Sequence, residues 1–239
     1  MNDLSNQKVA IIGGTSGIGL AAAIQAAEQG ATVFAASRNQ ETIDKAKQLA
    51  PSNIEFSSVD THDAAGLKQF FEQIGELDHL VSAATGANRT IAPFLEQSAE
   101  QFSEAFNKFW GYTHVIRQGV PFVKSTGSVV LVSGIPARKC QSGMSSLSCV
   151  GSAVEALMRA LAVELAPIRV NVASPGVIDT AMFDWLGDNK EAFLARSANS
   201  TLLKRVGKAE EVADAILFFL NNPYVTGNTI DVDGGQLLP

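Results

Sequence analysis

Between a short apolar run, Val9-Ala10-Ile11-Ile12, and an alanine-rich stretch lies Gly13-Gly14-Thr15-Ser16-Gly17-Ile18-Gly19. Few local patterns constrain a fold so narrowly. A buried strand that turns through glycines into a helix is a βα unit whose turn must bring backbone close to something. Gly13 permits the tight turn, Gly17 lets backbone approach a ligand, and Gly19 lets the helix pack closely on the sheet. The N–H groups at the helix start and their partial positive charge favour an anion, and the spacing suits a dinucleotide pyrophosphate. Thr15, Ser16 and Ile18 complete the turn and are candidate contacts to it.

The remainder of the chain repeats this alternation. Strand-like runs fall at 9–12, 32–36, 54–59, 79–82, 128–132, 169–173 and 229–232, with helical patterns at 18–29, 41–49, 64–74, 100–123, 144–165 and 210–220. Such an order predicts the α/β class: seven parallel strands in one sheet with helices on both faces. A length of 239 residues fits a single domain, 1–239, and no linker or repeat divides it. The 18 basic and 24 acidic side chains give a net charge of −6, which argues against a surface that tracks nucleic-acid phosphates. The start, residues 1–8, is polar, and no apolar run reads as a membrane span, so the expectation is a soluble, cytoplasmic protein that handles a small molecule. Cys140 and Cys149 make no disulfide framework, and no cluster of histidines or carboxylates stands beside them to hold a metal.

Residues of chemical character gather at the carboxyl ends of these strands: Ser37-Arg38, Asp60-Thr61, Ser82 to Gly86, Ser133-Gly134 and Ser174-Pro175-Gly176. Open α/β sheets bind ligands along that edge. After the second strand an acid would accept hydrogen bonds from the ribose hydroxyls of NAD. Ser37-Arg38 stands there instead, and Arg38 can pair with a 2′-phosphate, a charge-assisted contact of roughly 1.5 to 3 kcal/mol. NADP(H) is therefore the expected cofactor, with a solvated surface charge as the alternative for Arg38. Asp60 is placed either to accept from the adenine amino group or to cap a turn.

The glycine turn, Asp60, Ser174-Pro175-Gly176-Val177-Ile178-Asp179-Thr180 and the ending from Tyr224-Val225-Thr226-Gly227 to Asp233-Gly234-Gly235 together resemble the short-chain dehydrogenase/reductase family over nearly the whole chain. The resemblance implies a Rossmann-type sheet, a nicotinamide cofactor and a homo-tetramer or homo-dimer. It puts Gly13, Gly17 and Gly19 on the phosphates and Pro175, Gly176, Ile178 and Thr180 at the nicotinamide carboxamide. Thr61, Val177 and the triplet Ala83, Ala84 and Thr85, in the segment where the family usually has Asn-Asn-Ala-Gly, join the cofactor contacts.

The family's catalytic set is Ser, Tyr, Lys and Asn. Counted without a gap, the serine position falls on Gly134, the tyrosine on Leu147, the lysine on Gly151 and the asparagine on Lys108, with Ser133 and Asn107 adjacent. Leu147 and Gly151 cannot supply a proton, and losing a positioned acid costs roughly 10²- to 10⁴-fold. Positioning of the hydride donor against an acceptor is independent of that acid. Lys108 and Tyr112 lie four apart on a helix and share a face, so they can return an ammonium and a phenol from another element; Tyr112 as packed core is the alternative. Ser145 or Ser146 reads as a helix N-cap, Arg138 and Lys139 as an exposed charge pair or an anion site, and His62, His79 and His114 as structural. Met182, Phe183, Trp185, Leu186, Phe193 and Leu194 form an apolar segment that closes over an apolar substrate or packs against a subunit. These residues describe an NADP(H)-dependent oxidoreductase with an atypical site, suited to small apolar or self-activated acceptors: iminium, quinone-like or conjugated carbonyl groups. The alternative is a non-catalytic NADP(H)-binding sensor or scaffold.

Overall fold

In the computed structural model, which describes residues 3–85 and 90–238, the chain alternates from its start. Strand β1 (Lys8–Ile12) is followed by α1 (Gly17–Glu28), β2 (Thr32–Ser37), α2 (Gln40–Leu49), β3 (Ile54–Ser58), α3 (Ala64–Ile74) and β4 (Leu77–Ser82). Then come α4 (Ala99–Gly119), β5 (Val123–Val132), α5 (Ser145–Glu164), β6 (Arg169–Pro175), the two-residue β7 (Ile178–Asp179), α6 (Lys190–Asn199), the two-residue β8 (Gly207–Lys208), α7 (Ala209–Asn221) and β9 (Thr229–Val232). Seven strands form one parallel sheet in the order β3-β2-β1-β4-β5-β6-β9. The expected Rossmann-type architecture is present.

Strand alternation builds two apolar layers, because successive side chains leave opposite faces of a sheet. Val9 and Ile11 of β1 join α1 and α7 in one layer; Ala10 and Ile12 join α3, α4 and α5 in the other. The alanines of α1 serve close approach: Ala22, Ala23 and Ala26 are fully buried. Helix starts follow their side chains. Asn39 caps α2 through the N–H groups of Glu41 and Thr42, Asp63 caps α3 through those of Ala65 and Gly66, and Ser98 with Gln101 closes a capping box on α4. Arg169 is buried in β6 and donates to the carbonyls of Phe219, Leu220 and Val225, so its charge is met by the acceptor end of α7.

Three features of the chain differ from expectation. Strand β5 begins at Val123, and α4 ends at Gly119, because Val123 pairs with Leu77 ahead of a bulge that carries Lys124 to Gly127; His79 then pairs with Ser128. The ribbon of β7 and β8 and the helix α6 are additional: two-residue strands carry no periodicity, and α6 follows a 3₁₀ stretch, Ala181–Asn189, that breaks at Gly187. Helix α5, with a mean hydropathy of 1.4 along its apolar window, is long and apolar enough to cross a membrane, against the reading that no run is. Here one side of it, Val150, Val154 and Met158, is buried, the last two in the layer beneath the sheet.

Candidate active site

The order of strands reverses between β1 and β4, and this opens a crevice at their carboxyl ends, the usual ligand position in such sheets. The glycine turn lines it. Gly13 has φ +88°, and a Cβ there would stand 2.4 Å from the amide nitrogen of Ala84 and 2.7 Å from the carbonyl carbon of Ala83. The two crossovers touch only because that side chain is absent. A Cβ at Gly19 would lie 2.0 Å from the carbonyl oxygen of Gly13, so this glycine is what lets α1 start beneath the turn. Gly17, with φ +50°, faces Thr180: a Cβ would meet Thr180 Cγ2 at 3.4 Å. Two segments distant in sequence thus stand on either side of one crevice. Ser16 occupies the N-cap of α1 without a side-chain hydrogen bond, leaving the first-turn N–H groups for an anion. At the end of β4, Ser82 is fully buried, and its Oγ has no hydrogen-bond partner among the described residues. A glycine cradle, an uncapped helix start and an orphaned hydroxyl fit a dinucleotide.

On the adenosine side, Arg38 is exposed at the end of β2 and forms no ion pair among the described residues. Asp60 accepts the N–H of His62 at 2.9 Å through one carboxylate oxygen, the turn-capping geometry, while its other oxygen makes no bond among the described residues. The carbonyl of Thr61 accepts from His114 Nδ1 at 3.0 Å, and the rings of His62 and His114 meet edge to face, 5.5 Å between centroids. His114 therefore has the partner that the sequence did not reveal. Gly111 on α4 packs against Thr61, where a Cβ would come within 2.8 Å of Oγ1.

At the far end, Pro175 is buried, and Gly176 donates its N–H to Val232 at 3.0 Å; a Cβ on Gly176 would meet Asp233 Cα at 2.9 Å. The carbonyl of Val177 accepts from Gly207, and Ile178 is buried in β7. Ala83 donates to the Ile12 carbonyl at 2.8 Å, and Thr85 Oγ1 donates weakly to the Ala83 carbonyl at 3.4 Å. Gly86, where that segment was read to end, lies outside the described residues.

Beside this crevice the end of β5 carries Ser133 and Gly134. Ser133 turns its hydroxyl to the Gly151 carbonyl at 3.1 Å. A Cβ on Gly151 would stand 2.9 Å from Ala137 Cβ and 3.2 Å from Ala137 Cα, so the turn Ile135–Ala137 rests directly on α5 where a longer side chain would project. Leu147 is half-buried one turn earlier. Lys108 Nζ donates to the Ser133 carbonyl at 3.3 Å and lies 5.5 Å from the centroid of the Tyr112 ring. Tyr112 is fully buried, and its hydroxyl donates to the Val132 carbonyl at 3.1 Å. The two side chains meet through the ring face, with the hydroxyl inside the core.

Other readings are revised. Arg138 is exposed, as the loop-charge reading has it, but its charge is paired and it is no open anion site. It forks onto Asp231, donates to Ser174 Oγ at 3.0 Å and stands 3.3 Å from Glu155, whose carboxyl is pushed up by burial against the pull of that guanidinium. Lys139 donates to the Gln236 carbonyl. The N-cap of α5 is Met144, without a side-chain bond; Ser145 accepts instead from Gln97, which also donates to Ala92 at 2.6 Å, and Ser146 is fully buried. In the apolar segment, the rings of Phe183 and Phe193 pack at 4.9 Å, and Lys190 bridges Asp179 and Asp184, while Trp185 points to solvent. The sequence reading missed Thr42, whose hydroxyl meets Thr15 and Ser37. Only its place in the first turn of a helix after Asn39 hinted at a local role.

Comparison with known proteins agrees with this geometry. The family described as enoyl-(acyl carrier protein) reductase matches residues 13–236. The short-chain dehydrogenase/reductase ATR9 of Stachybotrys chlorohalonatus is 30% identical and aligns over all of both chains. An NADPH-bound short chain oxidoreductase of Pseudomonas aeruginosa PAO1, described as containing an atypical catalytic center, superposes with a TM-score of 0.89 at 30% identity, over 98% of each chain. The MalC reductase/Diels-Alderase of Malbranchea aurantiaca gives 0.88 at 29% identity, covering 99% of this chain and 98% of its own.

Proposed function

This chain belongs to the short-chain dehydrogenase/reductase family, and from that premise we propose an NADP(H)-dependent oxidoreductase with an atypical active site, acting on a small apolar or self-activated acceptor. Bound in the crevice, the nicotinamide would give or take the hydride. The chain's own residues supply everything else. The first-turn N–H groups of α1 and the bare backbone at Gly13 and Gly17 bind the pyrophosphate, Thr180 and the backbone around Gly176 orient the nicotinamide end, and Arg38 meets the 2′-phosphate.

The observation that carries the atypical reading is the contact of Ala137 with Gly151. It fills the space in which the family's lysine would stand, while Leu147 replaces the phenol and Ser133 commits its hydroxyl to the Gly151 carbonyl. We assign the remaining acid role to Lys108, whose ammonium sits at the end of β5, with Tyr112 as its support. Reducing a ketone moves the carbonyl electron pair onto oxygen, and the resulting alkoxide needs a proton. Reducing an iminium moves the pair onto nitrogen and leaves a neutral amine, so no acid is required. Acceptors of the second kind match a site with a single distant ammonium.

The test is NADPH consumption with a cyclic iminium, a quinone and a simple ketone. The expected result is turnover of the first two at least about 100-fold faster than the ketone, the scale of a missing positioned acid. A ketone consumed as fast as the iminium would overturn the substrate class. The same closed position 151 favours the second reading, a nucleotide-binding sensor, which predicts tight NADPH binding with no consumption of any acceptor. We further assign self-association to the outer faces of α4 and α5, where Trp110 is 52% and Val163 79% exposed.

A further inference from the structure

Thr42 lies outside the glycine turn and outside the end of β2, yet its hydroxyl joins them. Its Oγ1 donates to the Asn39 carbonyl at 2.9 Å, lies 2.9 Å from Thr15 Oγ1 and lies 3.3 Å from Ser37 Oγ. A hydroxyl has one proton and two lone pairs. With the proton given to Asn39, both lone pairs accept, one from Thr15 and one from Ser37. Ser37 Oγ in turn accepts the Asn39 N–H at 3.2 Å. Three side-chain and backbone groups therefore close around one atom, and Thr15, at the centre of the glycine turn, is almost wholly buried.

We propose that Thr42 is a positioning residue for the 2′-phosphate end of the cofactor, an inference that rests on the NADP(H) reading. Arg38 lies between Ser37 and Asn39, both held by this hub, and its backbone is thereby fixed relative to the turn that holds the pyrophosphate. A nucleotide with a 2′-phosphate must satisfy both anchor points at once. One without it uses the glycine turn alone. Fixing the two points in advance lowers the ordering cost of the doubly anchored ligand and leaves the singly anchored one unaffected. The hub thus contributes to discrimination between the two nucleotides without touching either.

The experiment measures dissociation constants for NADPH and NADH by nucleotide fluorescence on the intact protein, for wild type, Thr42→Val, Thr42→Ser and Arg38→Ala, with thermal melts alongside. Thr42→Val keeps the shape and removes the acceptor; it should weaken NADPH about three- to tenfold and leave NADH within about twofold. Thr42→Ser keeps the hydroxyl and should retain the wild-type ratio. Should Thr42→Val fold poorly, Ser37→Ala removes one arm of the hub and should lower the same ratio. An unchanged ratio in Thr42→Val, equal weakening of both nucleotides, or a Thr42→Ser that behaves like Thr42→Val overturns the proposal. Arg38→Ala separates the levels: if it too leaves the ratio unchanged, the NADP(H) preference itself fails, and if it alone collapses the ratio, only the role of Thr42 fails.

Discussion

At the residue scale, Lys108 and Tyr112 make separable contributions. Tyr112 gives its phenol to the Val132 carbonyl inside the core, whereas Lys108 lies half-buried beside Ser133 at the mouth of the crevice. Tyr112→Phe removes one buried hydrogen bond and leaves a carbonyl unpaired, so it should lower unfolding stability by about 1 kcal/mol with kcat within twofold of wild type. Lys108→Met should keep the fold and reduce kcat for acceptors that need a proton by about 10²-fold, with little change for an iminium. Melting curves and turnover on the two acceptor classes check both; a Tyr112→Phe variant that loses turnover would return the acid role to the phenol. The i, i+4 spacing made the shared face of these two legible in the sequence. Which end of the tyrosine faces the site depended on the depth at which α4 sits against β5.

At the element scale, two packing contacts govern behaviour. The turn Ile135–Ala137 lies on α5 at Gly151, so writing the family's pair back in, Leu147→Tyr with Gly151→Lys, should not restore ordinary ketone reduction. A side chain at 151 meets Ala137 Cα and Cβ at or inside contact distance, and the expected outcome is lower stability, by roughly 1 to 3 kcal/mol of overpacking, with no gain in ketone turnover. The second contact is a staple between strands. His79 in β4 is buried between Ser128 Oγ at 2.8 Å and Gln7 Oε1 at 2.6 Å, a pairing met by a neutral ring with the proton on Nε2. Burial, aided by the Arg169 charge, lowers its pKa to about 4. An unfolded chain binds this proton near the ordinary histidine value of 6.5, before the native state does, so the stabilisation is complete above about pH 6.5 and is lost as pH falls towards 4. Stability measured across that window should decline in wild type and decline less in His79→Gln.

At the scale of the whole molecule, the sheet collects onto one edge residues that the chain scatters: Gly17 from near the start faces Thr180 from the second half, and Arg138 ties Asp231 to Glu155 and Ser174. The outer faces of α4 and α5 carry Trp110 and Val163 exposed among polar side chains such as Asn107 and Arg159, although α5 passes for a membrane span by hydropathy. If those faces carry the proposed self-association, Trp110→Glu should give a smaller species than wild type in light scattering, while a monomeric wild type would remove them as an interface. The seven strands and the glycine turn are written locally, as is Arg38, on which the proposed NADP(H) preference rests, since alternation, glycine spacing and a strand-end cation act within a few residues of themselves. The bulge within β5, the ribbon of β7 and β8, the His62–His114 pair, the hub at Thr42 and the closure of position 151 exist only where distant segments meet. Local rules fix a backbone and its faces; which donor finds which acceptor, and which space a neighbour fills, is decided by the packing of helices and turns against the finished sheet.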